Sequence, residues 1–322
     1  MLPIAVDAMG GDNAPKEIVA GARQAAEELE VPVVLVGQPE AIGDTGGLEV
    51  IAASEVIGMR DDPAQGVRRK KDSSLVRAAE AVRDGAASAM VSAGNTGATM
   101  GAALLRMGRV KGVQRPAIAT PIPVPGTTPT VLLDAGANAE CTPAYLMQFA
   151  QMGSAFAAER YGIREPKVGL LSIGEEETKG TSLVKETHGL LAASGLNFIG
   201  NVEGRDLMSD AVDVVVTDGF TGNVALKTLE GGLKFLVQAV MNALGSSEEA
   251  KRVSHVLLDA LAPVAAELDP DTTGGAMLLG VEGVCIISHG SSSARAIVNA
   301  VRVAREMVDA GLVGRLRHAV AV

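Results

Sequence analysis

Short apolar runs alternate with amphipathic stretches along almost the whole chain, and this alternation restricts the fold more than any other feature. Between most of the runs, apolar residues recur at helical spacing, as Leu75, Val76, Ala79 and Val82 do. Strands that alternate with helices predict an α/β protein with a largely parallel sheet and helices on both faces. The runs suited to buried strands are 4–7, 33–37, 50–52, 89–92, 117–120, 130–134, 168–173, 198–200, 214–217 and 284–288.

One interruption of this alternation makes the expected sheet mixed. Residues 121–126 read Pro-Ile-Pro-Val-Pro-Gly and leave no room for a crossover helix, so a turn at Pro125 and Gly126 predicts an antiparallel hairpin. The 322 residues contain no internal repeat, low-complexity tract or interdomain linker. We therefore expect one domain over residues 1–322.

The segment 231–273 differs from the rest of the chain. Two broadly apolar helical patterns lie on either side of a break at Gly245-Ser246-Ser247. They predict a protruding helical hairpin with an apolar face. That face either packs on the sheet or on a second copy of the chain, or it contacts a membrane surface or an acyl chain.

Four of the apolar runs lead directly into loops rich in Gly, Ser, Asn and Thr. These loops are AGNTG after residue 92, GEEETKG after 173, DGFTGN after 217 and HGSSSAR after 288. Glycine lets backbone N–H groups approach an anion closely, and the helix that follows directs its positive end toward that anion. The four loops therefore indicate a phosphate-binding protein.

Cations follow three of these loops, and the opening loop, close to the expected helix starts. A cation in the first helical turn opposes the helix dipole at a cost of up to about 1 kcal/mol, which a bound anion offsets. Alternatively, the long side chains reach away from the helix end into solvent. The expected N-caps and their cations are Asn13 with Lys16, Thr181 with Lys185, Asn223 with Lys227 and Ser292 with Arg295.

Composition narrows the range of partners. The chain is 47% hydrophobic but only 2% aromatic, so the core must be aliphatic, and stacking platforms for nucleic-acid bases are scarce. A net charge of −10 argues against a surface that binds DNA or anionic membrane throughout. We expect no nucleic-acid partner. Two local basic patches remain, 68–71 and the looser set Arg106, Arg109, Lys111 and Arg115.

Targeting signals and paired cysteines are missing from the sequence. Met1 leads directly into the first apolar run, and no run approaches the ~20 residues that a membrane span needs. Cys141 and Cys285 offer neither a metal-binding spacing nor a disulfide framework. We expect a cytoplasmic protein. The signatures GxSxG, HExxH, GxxxxGK[ST] and GxGxxG are also absent, which disfavours esterases, zinc hydrolases, NTPases and common dinucleotide-binding enzymes.

Seven ordered motifs span nearly the whole chain and are more specific than any single loop. They are DAMGGDNAP at 7–15, RRKKDSS at 68–74, SAGNTGA at 92–98, LLDAGAN at 132–138, NFIGNVEGRD at 197–206, DGFTGNVALK at 218–227 and SHGSSSARAI at 288–297. Together they resemble the PlsX family of phosphate acyltransferases. One departure is Thr273, which stands before Gly274-Gly275-Ala276 where family members usually carry an aromatic residue.

The resemblance implies a fold, a reaction and a set of partners. The fold is a three-layer α/β/α sandwich similar to isocitrate and isopropylmalate dehydrogenases and to phosphotransacetylases, assembled as a homodimer. The reaction is attack of inorganic phosphate on the thioester of an acyl-[acyl carrier protein], which releases acyl phosphate for phospholipid synthesis. No metal or organic cofactor is expected, since phosphate is already a competent nucleophile that needs only binding, orientation and oxyanion stabilisation.

The resemblance also assigns roles to residues. Lys185 and Asn223 lie nearest the reaction, and His289 either donates a proton to the leaving thiol or caps a helix. The expected phosphate-binding residues are Gly94, Asn95, Thr96, Gly97, Gly222, Lys227, Ser291 and Ser292.

Acyl carrier protein is acidic, so an enzyme of net charge −10 must meet it with a local basic surface. The run Arg68, Arg69, Lys70 and Lys71 is the candidate, and a solvated turn is the alternative interpretation. The apolar 231–273 hairpin then guides the acyl chain or rests on the inner face of the membrane, beside a downstream glycerol-3-phosphate acyltransferase.

Three other functions compete with this one. A phosphotransacetylase-like enzyme uses a small acyl group on coenzyme A, whereas the long apolar hairpin and the basic run favour a long chain on a protein carrier. A dehydrogenase of similar fold needs clustered aspartates around a metal, and Asp213 and Asp218 are too few. A non-catalytic phosphate-binding scaffold on the membrane has the same loops but no activity.

Overall fold

The computed structural model describes residues 1–321, in which eleven strands form one sheet. All ten predicted strands are confirmed, with ends that differ by two residues or fewer. The unpredicted strand, β10, reads Ala-Met-Leu-Leu and has no β-branched residue to mark it as a strand. The strands are β1 (Ile4–Asp7), β2 (Val33–Gly37), β3 (Glu49–Ala52), β4 (Ala89–Ser92), β5 (Ala117–Ile122), β6 (Thr130–Leu133), β7 (Val168–Leu171), β8 (Phe198–Val202), β9 (Val214–Val216), β10 (Ala276–Leu279) and β11 (Val284–Ile287).

The strand order is β3-β2-β1-β4-β11-β10-β5-β6-β9-β7-β8, and most neighbours are parallel. Antiparallel pairing occurs between β11 and β10, between β10 and β5, and between β5 and β6. The predicted hairpin is the β5–β6 pair, in which Ala119 lies opposite Leu133. Its connection contains Gly126 at a φ of 78°, a backbone conformation that favours glycine.

The three antiparallel pairings divide the sheet into two sets of strands that run in opposite directions. Strands β1, β2, β3, β4 and β11 run one way, and β6, β7, β8 and β9 run the other way. We call the side where the first set ends the first edge, and the side where the second set ends the second edge. Loops that follow strands of the two sets therefore emerge at opposite edges.

Helices cover both faces of the sheet, so the expected three-layer α/β/α sandwich is confirmed. Ile4 and Val6 pack in one apolar cluster with α1, α6 and α10, whereas the intervening Ala5 packs in another with α4 and α5. Among the buried core residues of the described chain, only Phe149 and Phe156 are aromatic. The helices are α1 (Lys16–Glu28), α2 (Pro39–Ile42), α3 (Pro63–Arg69), α4 (Ser74–Arg83), α5 (Thr96–Arg106), α6 (Pro143–Tyr161), α7 (Ser182–Ala192), α8 (Gly219–Leu244), α9 (Glu248–Leu268), α10 (Ala294–Asp309) and α11 (Leu312–Ala319).

Helices α8 and α9 form the predicted protruding hairpin, although α8 already begins at Gly219 rather than at residue 231. The alternative in which its apolar face packs on the sheet is wrong, whereas packing on a second copy of the chain stays a prediction. Phe235 is 75% exposed and Val256 is 59% exposed, and none of the described α9 residues is buried. At the base of the hairpin, Glu267 Oε2 accepts a hydrogen bond from the Gly126 N–H (3.0 Å).

Candidate active site

Three loops converge at the first edge, where they follow the adjacent strands β1, β4 and β11. The backbone N–H of Asp12 donates to the carbonyl oxygen of Gly290 (2.7 Å), and Asn13 Nδ2 donates to the carbonyl of Ser291 (3.3 Å). Gly11 has a φ of +111°, and a Cβ there would lie 3.1 Å from the Gly290 carbonyl oxygen. Glycine at position 11 therefore permits two loops to approach closely.

In the loop after β11, two buried hydroxyl groups have no hydrogen-bond partner within the described residues. They belong to Ser288 and Ser292, which are 5% and 2% exposed. The prediction that Ser292 is an N-cap is wrong by one position, because Ser293 Oγ caps α10 by accepting from the Ala296 N–H (3.3 Å). Buried polar groups are normally satisfied, so the two free hydroxyls indicate where a polar ligand fits.

The loop after β4 is held by the side chain of Asn95. Its Oδ1 accepts from the Ala98 N–H (3.0 Å), and its Nδ2 donates to the carbonyls of Met59 (3.1 Å) and Asp61 (3.2 Å). The Asn95 amide is thus occupied in capping α5. The N–H groups of Thr96 and Gly97, the first two residues of α5, have no acceptor within the helix and remain available to an anion.

The Asp7 carboxyl group is an important part of this edge that sequence reasoning missed. Asp7 is 2% exposed, and burial raises its pKa, partly opposed by hydrogen bonds from Ser74 and Ser92. Ser92 Oγ donates to Asp7 Oδ2 (2.7 Å) and accepts from the Gly94 N–H (3.0 Å). Asp7 therefore positions Gly94 through Ser92. The available signal was an acidic residue that ends an apolar run directly before a glycine pair.

His289 lies in the loop after β11, and its side chain is exposed. Its Nδ1 is 2.7 Å from Ser291 Oγ and 3.2 Å from the Ser291 backbone nitrogen. Because Ser293 caps α10, the alternative that His289 caps this helix is wrong. The ring instead closes its own turn through Nδ1.

At the second edge, the Asp134 carboxylate organises the loop that follows β6. Asp134 is fully buried, and its two oxygens accept from the backbone N–H groups of Ile118, Gly136, Ala137 and Asn138 at 2.7–3.1 Å. A carboxylate held by several N–H groups fixes the backbone around it. This loop is therefore a rigid support for the helix that packs on it.

That helix is α8, and its start differs from the predicted one. Asp218 is the N-cap and accepts from the Thr221 N–H (2.8 Å), so the prediction of Asn223 as N-cap is wrong. The N–H of Gly222 donates to the Asp218 carbonyl (2.9 Å), and a Cβ on Gly222 would lie 2.0 Å from the Asp134 carbonyl oxygen. Gly222 thus serves close packing of α8.

A cavity of about 340 Å³ beside α8 brings Asn223 and Lys227 together. Lys227 Nζ donates to Glu230 Oε2 (2.8 Å). Phe220 and Val224 supply an apolar wall and are 66% and 52% exposed. The other lining residues are Gly136, Ala139 and Gly219. The cavity therefore combines an amide, a cation and an apolar surface.

Lys185 lies in the first turn of α7, which also starts at the second edge. The prediction of Thr181 as N-cap is confirmed, because its Oγ1 accepts from the Val184 N–H (3.4 Å). Lys185 is exposed and makes no ion pair among the described residues. A cation in the first turn of a helix, with no acidic partner among the described residues, favours a bound anion.

The other two predicted cations differ in their surroundings. Lys16 begins α1 directly after Pro15, so the prediction of Asn13 as N-cap is wrong. Arg295 is the second residue of α10, and its Nη1 lies 3.7 Å from Asp269 Oδ2. Lys16 is exposed and, like Lys185, makes no ion pair among the described residues, so the dipole argument applies to these two lysines more directly than to Arg295.

The predicted site residues fall into two separate groups. Gly94, Asn95, Thr96, Gly97, His289, Ser291 and Ser292 lie at the first edge, and Lys185, Gly222, Asn223 and Lys227 lie at the second. Strands β11 and β7 are five positions apart, which is about 24 Å at the usual strand spacing of ~4.8 Å. Within one chain, Lys185 and Ser291 are therefore not in contact.

The basic run lies at the end of α3, which packs beside α5. Lys70 Nζ donates to Asp61 Oδ2 (2.7 Å) and so holds the preceding loop. Arg68, Arg69 and Lys71 are exposed, and in the described part of the chain they make no ion pair. Three cations of the run are thus free to meet an acidic surface.

Metal ligands and reactive thiols are not evident in the structure. Across residues 1–321, no group of three or more His, Cys, Asp or Glu side chains is arranged to hold a metal ion. Burial raises the pKa of both Cys141 and Cys285 to about 12, so neither thiol ionises appreciably at neutral pH. No helix in the described chain is long and apolar enough to cross a membrane.

The fold is that of the phosphotransacetylases. The EutD phosphotransacetylase from Staphylococcus aureus matches with a TM-score of 0.60 at 16% identity, covering 95% of this chain and 94% of that one. A branched-chain phosphotransacylase from Enterococcus faecalis matches with a TM-score of 0.61 at 15% identity, covering 96% and 99%. A 4-hydroxythreonine-4-phosphate dehydrogenase from Klebsiella pneumoniae shares the fold with a TM-score of 0.55 at 12% identity, covering 96% and 100%.

Sequence similarity is much higher to another set of proteins. The family described as "Fatty acid synthesis protein" matches residues 2–315. The phosphate acyltransferase of Elusimicrobium minutum is 51% identical, covering 99% of this chain and 96% of that protein, and that of Pelotomaculum thermopropionicum is 50% identical, covering 99% and 95%. The chain therefore belongs to the PlsX family of phosphate acyltransferases. It is a transferase of fatty acid synthesis, which disfavours both the dehydrogenase and the non-catalytic scaffold.

Proposed function

We propose that the enzyme transfers a long-chain acyl group from acyl carrier protein to inorganic phosphate. A phosphate oxygen attacks the thioester carbonyl, the C–S bond breaks, and the released thiolate takes up a proton. The product is acyl phosphate, which feeds phospholipid synthesis. The observation that carries this proposal is the cavity beside α8, where the Asn223 amide and the Lys227 cation adjoin the apolar Phe220 and Val224.

In this proposal the two groups of residues have different tasks. Lys185 pairs with the phosphate or with the oxyanion, and Asn223 donates its amide to the same charge. Lys227, with the close packing at Gly222, completes the second-edge group. At the first edge, the loop from Gly94 to Gly97 offers the N–H groups of Thr96 and Gly97, Ser291 and Ser292 offer hydroxyl groups, and His289 protonates the leaving thiolate. No metal or organic cofactor takes part.

We also propose that the enzyme acts as a homodimer, with residues 1–322 of each copy forming one domain. The separation of Lys185 from Ser291 supports this, because one chain does not bring the two groups together. In a symmetric dimer, the first edge of each copy faces the second edge of its partner. Each of the two sites then contains both groups.

The carrier protein docks on the basic run in this account. Arg68, Arg69 and Lys71 are exposed and make no ion pair among the described residues, and Lys70 stabilises the loop beneath them. The acidic surface of acyl carrier protein is complementary to these charges. Binding through them weakens as salt concentration rises.

The exposed face of the α8–α9 hairpin contacts the inner surface of the cell membrane in this proposal, while the enzyme remains cytoplasmic. Phe235, Leu236, Val256 and Leu257 are 47–75% exposed and form an apolar patch on the hairpin. Such a patch binds at the lipid interface without crossing the membrane. Acyl phosphate is amphiphilic and reactive, so release there favours its transfer to a membrane-bound glycerol-3-phosphate acyltransferase.

A second candidate substrate is acyl coenzyme A, which a phosphotransacetylase-like enzyme uses. The shared fold with the Staphylococcus and Enterococcus proteins favours this alternative. The apolar hairpin and the basic run favour a long chain on a protein carrier instead.

The test is incubation of the purified enzyme with palmitoyl-[acyl carrier protein] and inorganic phosphate. Release of free thiol is followed continuously, and acyl phosphate is identified by mass spectrometry. We expect phosphate-dependent thiol release with acyl phosphate as the product. Thiol release from acetyl coenzyme A alone would show that the acyl donor is a coenzyme A thioester and not acyl carrier protein. No release from either donor would contradict the proposal.

A further inference from the structure

A second cavity at the second edge is larger than the cavity beside α8 and has no role in the proposal above. Its volume is about 680 Å³. It lies between the end of α5, the connection from α5 to β5 and the start of α6. Its lining residues are Leu104, Arg109, Gln114, Arg115, Pro116 and Tyr145.

The two guanidinium groups in this cavity carry charge that no acidic side chain of the described residues neutralises. Arg109 Nη1 donates to the Gln114 carbonyl oxygen (2.5 Å), and the Arg115 guanidinium lies over the Tyr145 ring, 5.8 Å from its centroid. Within residues 1–321, neither arginine makes an ion pair. In a chain of net charge −10, two unpaired arginines in one cavity favour an anionic ligand.

The same cavity adjoins the cavity beside α8. The loop from β6 to α6 separates them, since Asn138 Nδ2 donates to the Pro116 carbonyl (2.8 Å) on one side while Ala139 lines the α8 cavity on the other. A flexible ligand that crosses this loop therefore meets two arginines first. It then meets Asn223 and Lys227 beside an apolar wall.

The geometry points to a binding site for an organic phosphate, in which Arg109 and Arg115 hold the phosphodiester at the base of the acyl donor's prosthetic arm. The arm passes the Asn138 loop and places its thioester in the cavity beside α8. This inference rests on the proposed function, because it names how the acyl donor is recognised. Guanidinium groups suit the phosphate because they donate two parallel hydrogen bonds to it.

The phosphopantetheine arm is common to acyl carrier protein and coenzyme A, so the direct test uses the arm alone. Isothermal titration compares 4′-phosphopantetheine with pantetheine on the full-length enzyme. Charge-assisted hydrogen bonds predict that the wild type binds the phosphorylated compound about ten- to a hundredfold more tightly. Arg109→Gln with Arg115→Gln loses this preference. The charge-matched control, Arg23→Gln with Arg164→Gln, changes two exposed arginines elsewhere and keeps it.

Steady-state kinetics with the same variants show which acyl donor, acyl carrier protein or coenzyme A, carries the phosphate that binds at Arg109 and Arg115. A KM for palmitoyl-[acyl carrier protein] that rises about tenfold or more, with kcat little changed, assigns the site to the carrier. The same change with palmitoyl coenzyme A alone assigns it to the coenzyme. If Arg109→Gln with Arg115→Gln prefers 4′-phosphopantetheine over pantetheine as strongly as the wild type does, the inference is overturned. If the wild type turns over neither donor yet binds 4′-phosphopantetheine through these arginines, the proposed function fails and the binding site stands.

Discussion

The two edges of the sheet hold glycine-rich loops in different ways. At the first edge the loops are hydrogen-bonded to one another, for example through the Asp12 N–H and the Gly290 carbonyl oxygen. The hydroxyl group of Ser292 has no hydrogen-bond partner there among the described residues. At the second edge one buried carboxylate, Asp134, fixes the backbone, and the groups without a partner among the described residues include the cation of Lys185 as well as hydroxyls such as that of Ser172. The first edge is thus built from loops that hold one another, with the exposed cation of Lys16 nearby, whereas the second edge is built on one buried carboxylate and contains the two cavities.

This difference separates the roles of backbone and side chain. Close packing of glycine against backbone leaves no space for a Cβ, so changes there disturb the fold itself. Exposed cations contribute little to stability, because their charges are already solvated. The comparison therefore predicts that glycine changes affect folding, that cation changes affect turnover, and that the thiols affect neither strongly.

The largest expected effect is that of Gly222→Ala on folding. The new Cβ would lie 2.0 Å from the Asp134 carbonyl oxygen. Neither the backbone of α8 nor that of the loop after β6 can move aside easily. We expect a loss of about 3 kcal/mol or more in the free energy of unfolding, or no folded protein. Urea unfolding followed by circular dichroism measures it. Gly232→Ala on the same helix meets no atom within 4 Å and is the control; equal stability of the two variants would remove the packing argument.

Lys185→Ala tests whether a cation at the second edge contributes to turnover. Removal of a charge that stabilises the oxyanion is expected to lower kcat by about 10²–10³ while the melting temperature stays unchanged. Steady-state thiol release and a thermal melt measure the two quantities. Lys179→Ala, in the preceding loop, is the control and retains activity. A fall in melting temperature that accounts for the lost activity would make Lys185 a structural residue.

Asp7→Asn tests how the buried Asp7 carboxyl group at the first edge makes stability depend on pH. Because burial raises the pKa of Asp7, the folded state holds its proton to higher pH than the unfolded state does. The stability of the wild type therefore falls as pH rises above the ordinary carboxyl pKa of about 4, and the asparagine variant lacks this contribution. Urea unfolding of both proteins between pH 4 and neutrality, roughly the range where carboxyl groups titrate, checks the slope. Parallel stability curves would show that Asp7 does not titrate abnormally.

The smallest effect is expected from replacing both thiols. With pKa values raised to about 12, Cys141 and Cys285 are protonated at neutral pH and are poor nucleophiles. Cys141→Ala with Cys285→Ala should retain turnover within about twofold. Loss of turnover, together with an acyl-enzyme trapped on the wild type, would replace direct phosphate attack by a covalent route.

Sequence reasoning predicted the local elements better than their arrangement. Ten strands were readable because short apolar runs alternate with stretches of helical spacing, whereas β10 escaped because its Ala-Met-Leu-Leu sequence has no strand preference. The opposite directions of the two strand sets depend on pairings between distant segments, which no local pattern records. Asp7 was missed for the same reason, since its hydrogen-bond partners Ser74 and Ser92 are far away in sequence.

The most direct test of the account is whether the two edges act together across two copies of the chain. Lys185→Ala damages the second edge, and His289→Ala with Ser292→Ala damages the first. The two inactive proteins are refolded together, and phosphate-dependent thiol release is measured. In a symmetric dimer, half of the molecules are mixed and each has one of two sites intact, so activity should return to about one quarter of the wild type. No recovery, despite mixed dimers shown by native mass spectrometry, would contradict a site shared between copies.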